Sequence, residues 1–230
     1  MKNKKLLMIF PIILIMLIIT GCKSENAQTT IKEDLLNINY KEDTNELELP
    51  QYETQNPVVA MYIENYGSIV MELYPDIAPN TVANFISLVK KGFYDNNTFH
   101  RLVPGFVLQG GDPTGTGTGG PGYTIKGEFS ANGYENNLKH EKGIVSMART
   151  SASNDTAGSQ FFIMLDKSEY LDGHYAAFGK IIDGWSNIEK IVANEKVANE
   201  NTGQLQKKLV IKKSVIDLKG KSYNEVEKIN

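Results

Sequence analysis

Phe99-His100-Arg101-Leu102-Val103-Pro104-Gly105-Phe106-Val107-Leu108-Gln109-Gly110-Gly111-Asp112 is the stretch on which the reading of this chain turns. It covers two strand-like apolar runs, Thr98–Leu102 from Phe99 onward and Phe106–Gln109, and each carries one long hydrogen-bonding side chain, Arg101 or Gln109. A second segment, Gly158-Ser159-Gln160-Phe161-Phe162-Ile163, sets Gln160 among apolar neighbours in the same way. Side chains of these types stay exposed unless they have partners or chemical work to do.

Working outward, Val59, Met61 and Ile63 alternate, as do Ile69, Met71 and Leu73, with Asn65-Tyr66-Gly67 between them. That is a hairpin signal. Pro79 opens a helical pattern of Val82, Phe85, Ile86 and Val89, which Gly92 is placed to stop. Ser186 and Glu189 have the spacing of a capping box, so a second helix is expected to start there, with Trp185 in the core. Further strand-like runs are Gly143–Met147, Gln160–Met164, Ala177–Ile182 and Lys208–Leu218. Eight short strands and two helices predict a mainly β fold, an eight-stranded antiparallel barrel capped by two helices. The glycine-rich run Gly110–Gly122 lacks the Lys-Ser/Thr ending of a phosphate loop and reads as a flexible barrel loop.

The N-terminal region has a different character. Lys2, Lys4 and Lys5 precede an almost unbroken apolar run from Leu6 to Thr20, the pattern of a secretory signal over residues 1–21. Its ending, Ile19-Thr20-Gly21-Cys22, resembles a bacterial lipobox, which implies cleavage before Cys22 and lipid on its sulfur. Cys22 is the single cysteine, so no disulfide within the chain is possible. The expected location is the extracytoplasmic face of the cell membrane, held by a lipid anchor. Residues 22–55 are polar and acidic without sustained period and read as a disordered tether. A short amphipathic helix around Ile31–Ile38 is the other reading of part of it. The globular domain is then 56–218, with 219–230 a frayed polar tail.

Removing residues 1–21 takes three lysines with it and moves the formal charge from −3 to −6. That argues against nucleic acid as a partner, which selects basic surfaces. His100, His140 and His174 lack metal-ligand spacing, so no metal and no cofactor are expected.

Taken in order, Arg101, Gln109, Gly110-Gly111-Asp112 and Gly158-Ser159-Gln160-Phe161-Phe162 resemble the active-site strands of the cyclophilins, the peptidyl-prolyl cis/trans isomerases. Pro75–Phe85, Gly92-Phe93-Tyr94, Leu171-Asp172-Gly173 and Phe178-Gly179 extend the resemblance from about Pro57 to Leu218. Rotation about an X–Pro bond faces a barrier of about 18–20 kcal/mol from amide resonance. No bond is broken, so the catalyst needs an apolar proline pocket, a strong donor near the prolyl nitrogen, and groups that fix the flanking backbone.

The resemblance implies Arg101 as that donor, with Gln109 holding it and bonding the substrate backbone. It implies Phe106, Val107, Phe162 and Leu171 as the proline pocket, Gln160 at its rim, and Ala148, Arg149 and Thr150 as the edge that pairs with the substrate. Tyr170 stands where many eukaryotic members carry tryptophan, Tyr175 where they carry histidine, and Arg149 where asparagine is common. Read alone, Arg101 could instead be a structural partner of Asp112 or Glu128. The expected activity is prolyl isomerisation in exported or surface proteins by a monomer whose partners are proline-containing polypeptides. The competing class is a tethered holdase or adaptor that binds such segments without turnover. A solute-binding lipoprotein would need two α/β lobes, which the strand-rich pattern does not provide.

Overall fold

The computed structural model describes residues 39–229. The predicted signal, Cys22 and the alternative helix at Ile31–Ile38 lie outside the described residues. Eight strands close an antiparallel barrel: β3 (Val58–Ile63), β4 (Gly67–Leu73), β5 (Asn97–Val103), β6 (Val107–Asp112), β7 (Ile144–Met147), β8 (Phe161–Met164), β9 (Ala177–Asp183) and β11 (Gln204–Asp217). Around the barrel the order is β11-β3-β4-β9-β7-β8-β6-β5, and β11 closes it by pairing with β5 as well as β3. Helices α1 (Pro79–Lys90) and α2 (Trp185–Asn194) complete the expected architecture.

The alternation read from the sequence places Val59, Met61, Ile63, Ile69, Met71 and Leu73 inside, all fully buried. They meet a cluster of aromatic rings. Phe85 of α1 lies 5.4 Å from Phe161 and 5.1 Å from Phe178, centroid to centroid. Helix α1 begins at Pro79, and its first free N–H groups are capped from a distance: Glu128 accepts from Asn80 N at 3.0 Å and Thr81 N at 2.7 Å. This stabilises the positive end of the helix. Gly92, at φ +65°, stops the helix as expected.

Five expectations are corrected. The capping box is not formed: Gly184 occupies the cap position at φ +77°, Ser186 lies within α2, and Glu189 accepts from Trp185 Nε1 at 2.8 Å. A Cβ at Gly184 would collide with Ser68 O, so close packing selected the glycine. Trp185 is only half-buried, with Lys142 Nζ 4.5 Å over its ring.

Order also starts earlier than residue 56. A small hairpin, β1 (Tyr40–Lys41) and β2 (Glu46–Leu47), lies against the outside of β3 and β4. Leu47 is buried there with Val58, Ala60 and Val70, Tyr40 stacks on Tyr62 at 4.3 Å, and Tyr52 Oη donates to Asp183 at 2.8 Å.

The segment 219–229 is docked, not frayed: Tyr223 and Val226 rest against the core, and Ile229 pairs with Thr124. Finally, the glycine-rich loop is pinned. Asp112, fully buried, accepts from Thr114 N and Oγ1 at 2.7 and 2.8 Å, from Thr116 N at 3.1 Å and from Gly117 N at 2.5 Å. Burial raises its carboxyl, but these donors win and hold it at about 2. Strand β10 (Val197–Asn199), which forms a hairpin with β11, was not anticipated either.

Candidate active site

Strand register assembles the site. Arg101 on β5 lies opposite Gln109 on β6, Gln109 opposite Phe162 on β8, and Phe162 opposite Ser146 on β7. These four residues form one row across the outside of the barrel. A bulge on β5 makes the row possible. Phe99 pairs with Gly110 and Arg101 with Gln109, leaving His100 as the extra residue. Phe99 and Leu102 therefore both point into the core, fully buried, while Arg101 is turned outward. Gly111, at φ +87°, lets β6 approach the turn before β8, since a Cβ there would strike Ser159 O.

The polar groups of the row are chained together. Arg101 Nε donates to Thr202 O at 2.8 Å, and Nη1 donates to Gln109 Oε1 at 3.2 Å. Gln109 Nε2 donates to Gln160 Oε1 at 3.0 Å. Gln160 Nε2 ends the chain on Gly117 O and Gly119 O at 3.0 and 2.9 Å. Two of the five guanidinium N–H groups are thus used to orient Arg101, and three remain for a ligand. Burial lowers its pKa, against smaller upward effects of Tyr170 and Tyr175, and guanidinium stays cationic regardless. Asp112 and Glu128, the alternative ion-pair partners, bond the glycine-rich loop and the α1 N-terminus instead.

Beside the row lies an apolar patch. Val107, Ile144, Phe162, Met164, Leu171 and Ala177 pack together, with Phe106, Ala148 and Tyr175 partly buried against them. The Phe162 ring meets Tyr175 edge-on at 5.7 Å, and Phe106 stacks with Tyr170 at 5.9 Å. Tyr170 is the most exposed large apolar residue of the patch, at 68 %. Arg101 stands over this patch, its Cζ 5.9 Å from the Phe106 ring.

Arg149 turns its guanidinium between Tyr175 and Phe129, at 4.9 and 5.3 Å, with Nε donating to His174 O at 2.9 Å. Thr150 is exposed, and its N–H is taken by Thr156 Oγ1 at 2.9 Å. Ala148 N donates to Gln160 O at 2.9 Å. The edge Ala148–Thr150 thus adjoins the row, but two of its three N–H groups are already used.

Sequence reasoning missed the layer behind the patch. His140, with 1 % exposure, stacks on Phe162 at 6.0 Å, places Nδ1 3.0 Å from Asp172 Oδ1 and Nε2 3.0 Å from Ser146 Oγ. It also missed Thr202, a loop carbonyl whose side chain carries no signal. The apolar context of Ser146 could have marked it as a buried polar group in need of a partner.

The site is an arginine fixed by a glutamine beside an apolar patch, on the outside of a closed barrel. Comparison with known proteins gives its class. The family profile described as cyclophilin type peptidyl-prolyl cis-trans isomerase/CLD matches residues 58–216. The chain is 53 % identical over 138 residues to peptidyl-prolyl cis-trans isomerase B of Bacillus subtilis, covering 60 % of this chain and 92 % of the relative. It is 44 % identical over 146 residues to a peptidyl-prolyl cis-trans isomerase of Helicobacter pylori, covering 63 % and 86 %. The crystal structure of a Cryptosporidium parvum cyclophilin in the presence of the dipeptide Ala-Pro superposes with TM-score 0.62 at 36 % identity, over 70 % of this chain and 98 % of that one. The chain belongs to the cyclophilin-type peptidyl-prolyl cis-trans isomerases and is an enzyme of that class.

Proposed function

We propose that this isomerase acts on exported or surface proteins while held by lipid at Cys22 on the outer face of the cell membrane, as a monomer. The sequence pattern at residues 1–22 supports the location. The carrying observation for the chemistry is Arg101, oriented by Gln109 and Thr202 over the patch of Phe106, Phe162 and Leu171.

In this reading the proline ring sits on that patch, with Val107 in its floor and Tyr170 and Tyr175 at its edge. The free N–H groups of Arg101 face the prolyl nitrogen. As the amide twists, that nitrogen regains its lone pair and becomes a better acceptor, so the contact strengthens toward the transition state, which is the condition for acceleration. Gln109 and Gln160 keep the guanidinium in place so that no reorganisation is needed at the moment of rotation. Along Ala148–Arg149–Thr150, the N–H of Arg149 is the one left to bond the substrate backbone. No proton is transferred and no nucleophile is used.

A protease-free isomerisation assay on Xaa-Pro peptides, run beside peptide binding, tests the chemistry. Arg101→Ala should lower kcat/KM by about 10- to 150-fold, from the ~1.5–3 kcal/mol of a charge-assisted hydrogen bond. Arg101→Lys should recover part, because an ammonium does not reproduce the planar fork. Peptide affinity should fall less than turnover. A folded Arg101→Ala protein with wild-type rate would reject the mechanism, and negligible wild-type turnover with intact binding would favour the holdase. Mass spectrometry of the mature N-terminus tests the anchor: an unmodified Cys22 would reject it.

A further inference from the structure

Residues 219–229 lie beyond the stretch that matches the family, yet they are tied down at several points. Asn80, at the start of α1, grips Glu227 in both directions: its Nδ2 donates to Glu227 O at 3.0 Å, and its Oδ1 accepts from Glu227 N at 2.8 Å. Past this clamp the segment forms a two-bond bridge. Thr124 N donates to Ile229 O at 2.9 Å, and Ile229 N donates to Thr124 O at 2.7 Å. Lys228 Nζ stands 4.5 Å over the ring of Tyr123.

The other side of Tyr123–Thr124 faces the active site. Both residues line a cavity of about 430 Å³ that also includes Gln109, Gln160, Ala148 and Arg149. The wall follows a run with seven glycines between Gly110 and Gly122, the part of the chain with most conformational freedom to lose. Asp112 pins the first half of that run, through Gly117. The second half is held at its far end, by Ile125 N donating to Ala157 O at 2.8 Å, by Tyr123 Oη donating to Asn84 Oδ1 at 2.7 Å, and by the bridge to Ile229.

We propose that the segment Lys219–Ile229 is a strap that sets substrate specificity: by holding the Tyr123–Thr124 wall it determines how firmly the enzyme grips substrate residues outside the proline itself. This rests on the reading that substrate backbone runs past Gln109 and Ala148–Thr150. The strap touches neither Arg101 nor the apolar patch. It therefore governs KM for extended substrates and not the rate of rotation.

The test uses Ile229→Pro, which removes one donor of the bridge, and Asn80→Ala/Ile229→Pro, which also opens the clamp. Two peptides share an Ala-Pro centre, one carrying only blocking groups and the other extended on both sides. In both variants KM for the extended peptide should rise about 3- to 10-fold, the scale of one lost hydrogen bond. Turnover of the short peptide should stay at the wild-type value, and hydrogen exchange at the Thr124 amide should accelerate. An unchanged KM for the extended peptide despite fast exchange overturns the proposal, since the strap would then be structural only. A Thr124 amide still protected in the double variant also overturns it, since the strap would not hold the wall. Turnover of the short peptide by the wild-type protein reads the isomerase site alone, so failure there strikes that reading and not the strap.

Discussion

The outer faces of β3–β4 and of β6–β7–β8 are both apolar, yet they are covered in different ways. Val58, Ala60 and Val70 point outward on one side and are sealed by Leu47, Tyr40 and Tyr52 of the segment that precedes the barrel. Val107, Ile144, Phe162, Met164 and Ala177 form the cluster on the other side, where they too are buried, packed with Leu171 and the partly buried Leu138, Phe106 and Tyr175, and that cover ends at the exposed ring of Tyr170. Where more apolar side chains would finish the seal, the row carries Arg101 and Gln109. An outward apolar patch on a barrel loses stability unless something covers it. On one side the segment before the barrel completes the cover, and on the other the cover stops at Phe106 and Tyr170, where the proposed substrate proline would rest.

The largest effect should come from removing the cover. A chain starting at Asn56 should lose about 3–5 kcal/mol of unfolding free energy relative to one starting at Lys23, from re-exposed apolar surface. Its kcat/KM per folded molecule should be unchanged. Denaturant unfolding beside the peptide assay measures both, and equal stabilities would show that the hairpin covers nothing of consequence.

Next comes the reverse experiment, making the row beside the second patch more apolar. Gln109→Leu should lower kcat/KM by about tenfold, because Arg101 loses the acceptor that orients it. Stability should stay within about 0.5 kcal/mol, as for other half-exposed substitutions. A variant of wild-type activity would mean that Thr202 O alone fixes the guanidinium.

The smallest effect is a pH dependence that separates the two patches. Burial lowers the pKa of His140, with Asp172 opposing, and burial also lowers that of His100. Both rings are therefore neutral in the fold, while the unfolded chain takes up protons near pH ~6.5. Stability is full above that pH and declines as pH falls below it toward the folded values, by at most about 1.4 kcal/mol per pH unit for each ring. His140 supports Phe162 from behind, so hydrogen exchange at pH 5.5 should accelerate in β7 and β8 before β3 and β4. His140→Gln should flatten this response, and an unchanged acid slope would exclude His140 as its source.

The patch beside Arg101 was far more legible in the sequence than the one under the hairpin. Arg101, Gln109, Gln160 and Phe162 sit in strands whose apolar residues betray the register, and their order resembled a known set. The bulge at His100 left no such trace, because it depends on where β6 pairs. Leu47 and Tyr52 are isolated apolar residues in an acidic stretch, and only the shape of the outer face of β3–β4 gives them a place. The docked segment 219–229 escaped notice for a similar reason: backbone bonds to Thr124 and Asn80 carry most of its order, and backbone groups are the same in every residue. Ser186 and Glu189 misled because the left-handed Gly184 had already taken the cap.

The hairpin also shortens a leash. If Cys22 carries the proposed lipid, the residues from there to Asn39, where the described fold starts, span at most ~60 Å in any conformation, half of what a free segment to residue 56 would allow. They join on β3–β4, which the strand order sets half a circuit from β6 and β8. A molecule tied at Cys22 would patrol a thin layer above its membrane, catching chains as they emerge and leaving those farther out untouched.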